Sequence, residues 1–251
     1  MARFQILGAV CVACVFALSG PLAHAGIAEW KAQAQATPGN VVADDTLHVF
    51  DGTAGIPYNY GDLDEDNDPS TTGAGAAIEF ICNGHGLDDR TAALGKYEGL
   101  NNRNVGLKLE QWNNTGRWGI TAFGAYDLQF PGAPSVFDTD VHVVFNNRTD
   151  GQMEIYIDGL SQGTAEYGTW VVNGEGPDTN YLGSGQNPTH DPFVGTIYGV
   201  ATYDRELTRQ AIADLHDAYL RQGEIPEPAT LCLGALGLAG LGGYVRRRRR
   251  S

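Results

Sequence analysis

Asp62, Asp64, Asp66 and Asp68 alternate along the run Asp62-Leu63-Asp64-Glu65-Asp66-Asn67-Asp68. Alternating carboxylates can offer a hard cation such as calcium several oxygen ligands at once. The run starts like an EF-hand loop, but Asn67 stands where the sharp turn requires glycine and Gly73 where the closing glutamate belongs, which excludes that motif. A looser calcium loop and a solvated acidic loop beside Pro69-Ser70 are the two readings that remain. A second constellation pairs Trp112 and Trp118 around Asn113-Asn114-Thr115-Gly116-Arg117. Indole faces stack on the apolar faces of sugars, and Asn114 and Arg117 could bond their hydroxyls. The competing reading puts one or both tryptophans in the core.

Glycoside hydrolysis needs two carboxyl groups about 5–5.5 Å apart for retention or about 6.5–9.5 Å for inversion. Glu154 and Asp158 share a strand face, but four residues of strand put them roughly 13 Å apart. Asp138 and Asp140 would stand about 6.6 Å apart on a strand, yet they precede the apolar run and fit a loop leading into it. No glycine-rich phosphate loop or paired metal-binding cysteines occur. No catalytic residue is therefore assigned. Asn113-Asn114-Thr115 and Asn147-Arg148-Thr149 match the glycosylation acceptor pattern, a match expected to be coincidental.

Both ends carry address segments. Arg3, a mostly apolar run from Ile6 to Leu18 and small residues ending Ala23-His24-Ala25 make a secretory signal peptide over residues 1–25, cleaved by signal peptidase after Ala25. At the other end, Ala229 to Val245 is weakly apolar and uncharged, and Arg246 to Arg250 follow. A helix over that span would be roughly 26 Å long, just short of the ~30 Å hydrocarbon core. The arginines would stay cytoplasmic, leaving everything before them outside the membrane.

Pro226-Glu227-Pro228, the apolar span and the arginine cluster together resemble the PEP-CTERM sorting signal of Gram-negative bacteria, over residues 224–251. The resemblance implies that an exosortase recognises this tail and cuts near Pro226. The membrane would then be touched only through a cleavable helix, and the product would end at the cell surface or in the extracellular matrix.

Without its ends the chain is one domain's length, about 199 residues. Of 30 acids only Glu227 is lost, and of 16 bases Arg3 and the five terminal arginines go, leaving 29 against 10 and a net charge near −19. Such a surface repels nucleic acid and anionic membrane and favours cations and neutral glycans. Only Cys82 remains of the four cysteines, in a strand-like run, so it is expected to be a buried, inert thiol.

Short β-type runs recur between turn residues: Thr46–Phe50, Ala77–Cys82, Val105–Gln111, Trp118–Phe123, Val141–Asn146, Met153–Ile157, Trp170–Val172 and Val194–Tyr203. Met153, Ile155 and Ile157 face one way and Glu154, Tyr156 and Asp158 the other, which predicts a strand with one buried face. Asp158-Gly159 supplies a hairpin turn. One helix is expected, N-capped by Thr208, with Ile212, Leu215 and Tyr219 at helical spacing and Gly223 closing it. Residues 26–40 give no firm signal.

Two stretches resemble laminin-G-like domains. One is Val141–Asn146 with its turn and Met153-Glu154-Ile155-Tyr156-Ile157-Asp158-Gly159; the other is the glycine-led strand Phe193 to Tyr203 running through Asp204-Arg205-Glu206-Leu207-Thr208. The resemblance implies an all-β, concanavalin-A-like jelly-roll sandwich over 41–223 with one short C-terminal helix. It also implies a packed, structural His142, and a calcium ion is often held at the rim of such domains. Asp140-Val141-His142 replaces the family's Trp-His pair. The fold also houses laminarinase-type hydrolases, but their Glu-x-Asp-x-x-Glu motif is absent. The expectation is a non-catalytic, carbohydrate-binding module that touches polysaccharide. A glycoside hydrolase and a protein-binding coat protein are the alternatives.

Overall fold

The computed structural model describes residues 25–63, 75–85, 92–99, 103–110, 116–122, 126–130, 132–166, 172–174, 180–185 and 187–221. In chain order the elements are α1 (Ala25–Ala36), β1 (Asn40–Asp44), β2 (His48–Asp51), β3 (Ile56–Pro57), β4 (Gly61–Asp62), β5 (Ala76–Gly84), β6 (Ala92–Gly99), β7 (Arg103–Glu110) and β8 (Arg117–Ala122). They continue as β9 (Tyr126–Gln129), β10 (Asp140–Asn147), β11 (Gln152–Ile157), β12 (Leu160–Glu166), β13 (Val172–Gly174), β14 (Tyr181–Leu182), β15 (Val194–Tyr203) and α2 (Arg209–Leu220).

The strands form two antiparallel sheets. Sheet A runs β1-β15-β5-β10-β11-β12, with β2 extending β1's place along β15. Sheet B runs β3-β14-β6-β7-β8-β9, with β13 also paired to β6 and β4 paired to β13. The order joins strands far apart in sequence, so that β15 lies against β5 with Val200 opposite Phe80. This is the jelly-roll sandwich expected from the sequence.

Alternation builds the interior. Ile78, Phe80 and Cys82 of β5, Val141, Val143 and Phe145 of β10, and Met153, Ile155 and Ile157 of β11 meet Leu107 and Leu109 of β7 and Trp118 and Ile120 of β8. The opposite faces of β10 and β11 do not lie open, which corrects the expectation of one buried face: Tyr156 is 2% exposed and Glu154 3%. Both terminal helices account for this. Ile27, Trp30 and Ala34 of α1 and Ile212 and Leu215 of α2 pack on Ala77, Ile81, Val144, Tyr156, Ala201 and Tyr203, a second core on the back of sheet A.

Apolar residues three and four apart put one stripe of each helix onto the sheet. Thr208 caps α2, accepting from the Ala211 amide at 3.2 Å, as expected. Pro38 and Gly39, the latter at φ 82°, follow the end of α1. One compact unit spans Ile27–Leu220 and includes α1 from Ile27 onward.

Candidate functional site

The two outer faces of the sandwich differ. Under the helices on sheet A lies a sealed polar cluster centred on Glu79, which is fully buried. Its Oε1 accepts from the Trp30 indole and lies 2.5 Å from His142 Nε2, and its Oε2 accepts from the Tyr203 hydroxyl at 2.6 Å. Burial and the neighbouring carboxylate hold the Tyr203 hydroxyl well above its ordinary value. A buried charge persists only with such partners, and this one ties α1, β10 and β15 to β5. His142 is fully buried here.

Sheet B carries no described helix on its outer face. Leu107 and Leu109 point into the core, so the alternation turns Gly106 and Lys108 outward; likewise Trp118 and Ile120 point in, and Arg117, Gly119 and Thr121 point out. The register sets Lys108 opposite Gly119, Gly106 opposite Thr121 and Glu110 opposite Arg117. Lys108 is 1% exposed and Thr121 7%. An ammonium so buried must be met by polar groups. Arg117, half-buried at the start of β8, is the cationic side chain of this face nearest solvent.

Of the residues expected to bind ligand, Trp118 lies in the core, Arg117 on this face, and Trp112 and Asn114 outside the described residues. Trp118 is fully buried and its ring meets Phe145 inside the sandwich, which corrects its expected place on a sugar platform. Arg117, half-buried, opens β8 on the outer face. Trp112 and Asn114 lie outside the described residues, in the segment joining β7 to β8. Lys108 escaped sequence reasoning. Its signal, a charge between Leu107 and Leu109, is that of any solvated strand residue until the packing over its strand face is known.

Of the acidic run, Asp62 sits in β4 opposite Asn173 of β13, while Asp64, Asp66 and Asp68 lie outside the described residues. Among the described residues, no group of three or more His, Cys, Asp or Glu is placed to hold a metal. Of the processing residues, Ala25 is the first of α1, and Ala23, Pro226, Glu227 and Pro228 lie outside the described residues.

The carboxylates weighed for catalysis are engaged elsewhere. Glu154 bonds Ser161 Oγ at 2.5 Å and pairs with Arg148 at 3.1 Å and Arg209 at 3.4 Å. Asp158 turns the β11–β12 hairpin at φ 50° and accepts from the His142 amide at 3.0 Å. Asp138, at φ 56°, pairs with His85 at 2.7 Å. Asp140 accepts from Asn83 at 2.8 Å and Tyr198 at 3.1 Å, and burial with that carboxylate pushes the Tyr198 hydroxyl up to about 12. Cys82 is buried, and burial pushes its thiol far up, as an inert role requires. Asn147 is 4% exposed, closed to glycosylation in the folded chain.

Fold and terminal signal together define an exported, sorted protein with a lectin-like sandwich. The chain belongs to the concanavalin A-like lectin/glucanases superfamily, whose family model matches residues 58–213. The PEP-CTERM protein-sorting motif matches residues 224–250, which marks the chain for export, exosortase processing and membrane-associated sorting toward the cell surface. Solved structures share this fold, two sugar complexes among them. Domain 4 of AbnA, a GH43 extracellular arabinanase from Geobacillus stearothermophilus in complex with arabinotriose, is 18% identical over 71% of this chain and 82% of its own, with a TM-score of 0.51. The Ruminococcus gnavus IT-sialidase CBM40 bound to α2,6 sialyllactose is 16% identical over 71% of this chain and 100% of its own, with a TM-score of 0.50. No curated protein matches the chain by sequence. Among the described residues, no helix is long and apolar enough to cross a membrane.

Proposed function

We propose that the protein is a non-catalytic, carbohydrate-binding module of a Gram-negative cell surface or extracellular matrix, with its ligand face on the outer side of sheet B. The observation that carries this reading is the asymmetry of the sandwich. Helices α1 and α2 close the outer face of sheet A, while on the outer side of sheet B Lys108 and Thr121 are buried and Arg117 is only half-buried. Between β7 and β8 in sequence, Trp112 would contribute a stacking ring and Asn114 a hydroxyl partner. Two structures of the same fold, AbnA domain 4 and the CBM40, hold an arabinotriose and a sialyllactose, which supports a sugar over a protein ligand. The non-catalytic part rests on Glu154, Asp138 and Asp140, each already held by neighbouring side chains. Calcium, held by Asp62, Asp64, Asp66 and Asp68, would steady the rim.

Glycan-array binding of the exported chain, in calcium and again in chelator, tests the reading. Binding that Arg117→Ala and Trp112→Ala abolish supports the sheet B face. Its loss in chelator adds the acidic run, and indifference to chelator discards calcium. Silence across a broad array from folded protein would leave a structural coat protein. Release of reducing ends from a bound glycan would make it a hydrolase.

A further inference from the structure

The back of sheet A holds a titratable cluster that the proposed sugar face does not use. Beyond the Glu79–His142 contact, His216 of α2 stacks on His142, with ring centroids 5.5 Å apart and planes 17° from parallel. The Asp158-Gly159 turn supports it from below: a Cβ added to Gly159 would lie 3.3 Å from His216 Cβ, so glycine lets the helix approach this closely. The Nδ1 atoms of both rings are buried without a hydrogen-bond partner. With α2 docked, a proton on His216 Nδ1 would therefore be a charged donor shut off from water, with no acceptor, against a second imidazole.

Four groups face His216: His142 from β10, Asp158 from the β11–β12 turn, and Asp217 and Tyr219 from its own helix. Burial and His142 disfavour its charged form, Asp158 and Asp217 favour it, and the balance lowers its titration below the ordinary histidine value.

We propose that His216 is a proton-operated latch: neutral, it holds α2 on sheet A through its stack on His142, and protonated, it releases the helix. Because the docked ring resists its proton, docking is at full strength above the undocked histidine's value of roughly 6.5 and weakens as pH falls below it. Helix α2 ends at Leu220 and the sorting motif begins at residue 224, so the latched helix is the element that precedes that motif in sequence.

Hydrogen exchange of α2 amides tests this in the full chain in detergent, at about pH 7.5 and about pH 5.5, either side of the ordinary histidine value. After correction for intrinsic rates, opening of Ile212–Leu220 should rise several-fold at the lower pH while Val143 in β10 stays protected. His216→Phe keeps a ring on His142 but takes no proton, so docking should persist and the pH response vanish. Asp158→Asn keeps an acceptor for the His142 amide but removes a charge that favours protonated His216, so the response should widen. Equal protection at both pH values in the natural chain, or an unchanged response in His216→Phe, overturns the latch. If His216→Phe already lacks α2 protection at the higher pH, Asp158→Asn decides: a response no wider than the natural one overturns it.

Discussion

Trp118 and Phe145 meet edge to face inside the sandwich, with ring centroids 6.3 Å apart and planes at 79°. The contact joins β8 of sheet B to β10 of sheet A, and Trp118 is fully buried. Truncating a buried aromatic costs about 3–5 kcal/mol, so Trp118→Ala should lose about that much in urea unfolding. Trp118→Phe should lose roughly half or less, because it keeps a ring against Phe145 and removes an indole N–H that has no hydrogen-bond partner. Equal losses in the two variants would show that the ring contact contributes little.

Trp30 is the only described indole that donates to a buried carboxylate, Glu79. Its ring also covers Gly199, where a Cβ would come within 2.5 Å of Trp30 Cζ3. Trp30→Phe keeps most of the apolar volume and removes the donor, and a hydrogen bond to a charged group is worth roughly 1.5–3 kcal/mol. The expected loss lies in that range by urea unfolding. Deletion of residues 27–36 should cost more, because it also uncovers Ala77, Ile81 and Tyr203. A deletion that left the urea midpoint unchanged would refute a structural α1.

What was legible in the sequence follows from the same packing. Strand β15 has the bounds read from its residues, Val194–Tyr203, and β11 shows the alternation of Met153, Ile155 and Ile157. These strands present unbroken apolar sets to the inter-sheet core. Strand β6 does not: Gly95 and Gly99 interrupt it, and Lys96 and Glu98 alternate with them. The apolar side chains that α1 buries, Ile27, Trp30 and Ala34, stand among alanines and glutamines, too thin a stripe to distinguish from a linker. The direction of Trp118 could have been read from its two-residue spacing to Ile120, which shares its face. The burial of Lys108 depends on what packs over its strand face, and packing between distant segments is a tertiary fact.

Glu154 links the β10–β11 hairpin to α2 through Arg148 and Arg209. Burial alone would raise its carboxyl, but hydrogen bonds from Ser161, Tyr156 and Arg148 and the charge of Arg209 lower it below its ordinary value. A carboxylate lowered in the folded chain adds stability above its unfolded value and loses it as pH falls through the folded one. Glu154→Gln should therefore be less stable than the natural chain near neutrality, with the gap closing as pH drops below about 4.3. Urea unfolding at a series of pH values measures the gap, and a constant difference would contradict the sign.

Gly195 and Gly163 both sit at positive φ, 143° and 110°, but only one is crowded. A Cβ on Gly195 would lie 2.0 Å from the backbone oxygen of Asn83 in β5, whereas one on Gly163 in β12 would meet nothing within 4 Å. Alanine at Gly163 should cost the conformational term alone, of order 1–3 kcal/mol. Alanine at Gly195 adds a clash with a backbone atom that can retreat only by opening the β15–β5 pairing at Gly195–Gly84 and Thr196–Asn83. That pairing lies at the centre of sheet A, so Gly195→Ala should exceed Gly163→Ala by more than about 2 kcal/mol in urea unfolding, within the range for core overpacking. It should also speed exchange at the Gly195 end of β15 ahead of its Tyr203 end. Similar costs for the two substitutions would mean that the strands can separate there without loss, and that the glycine leading β15 serves conformation alone.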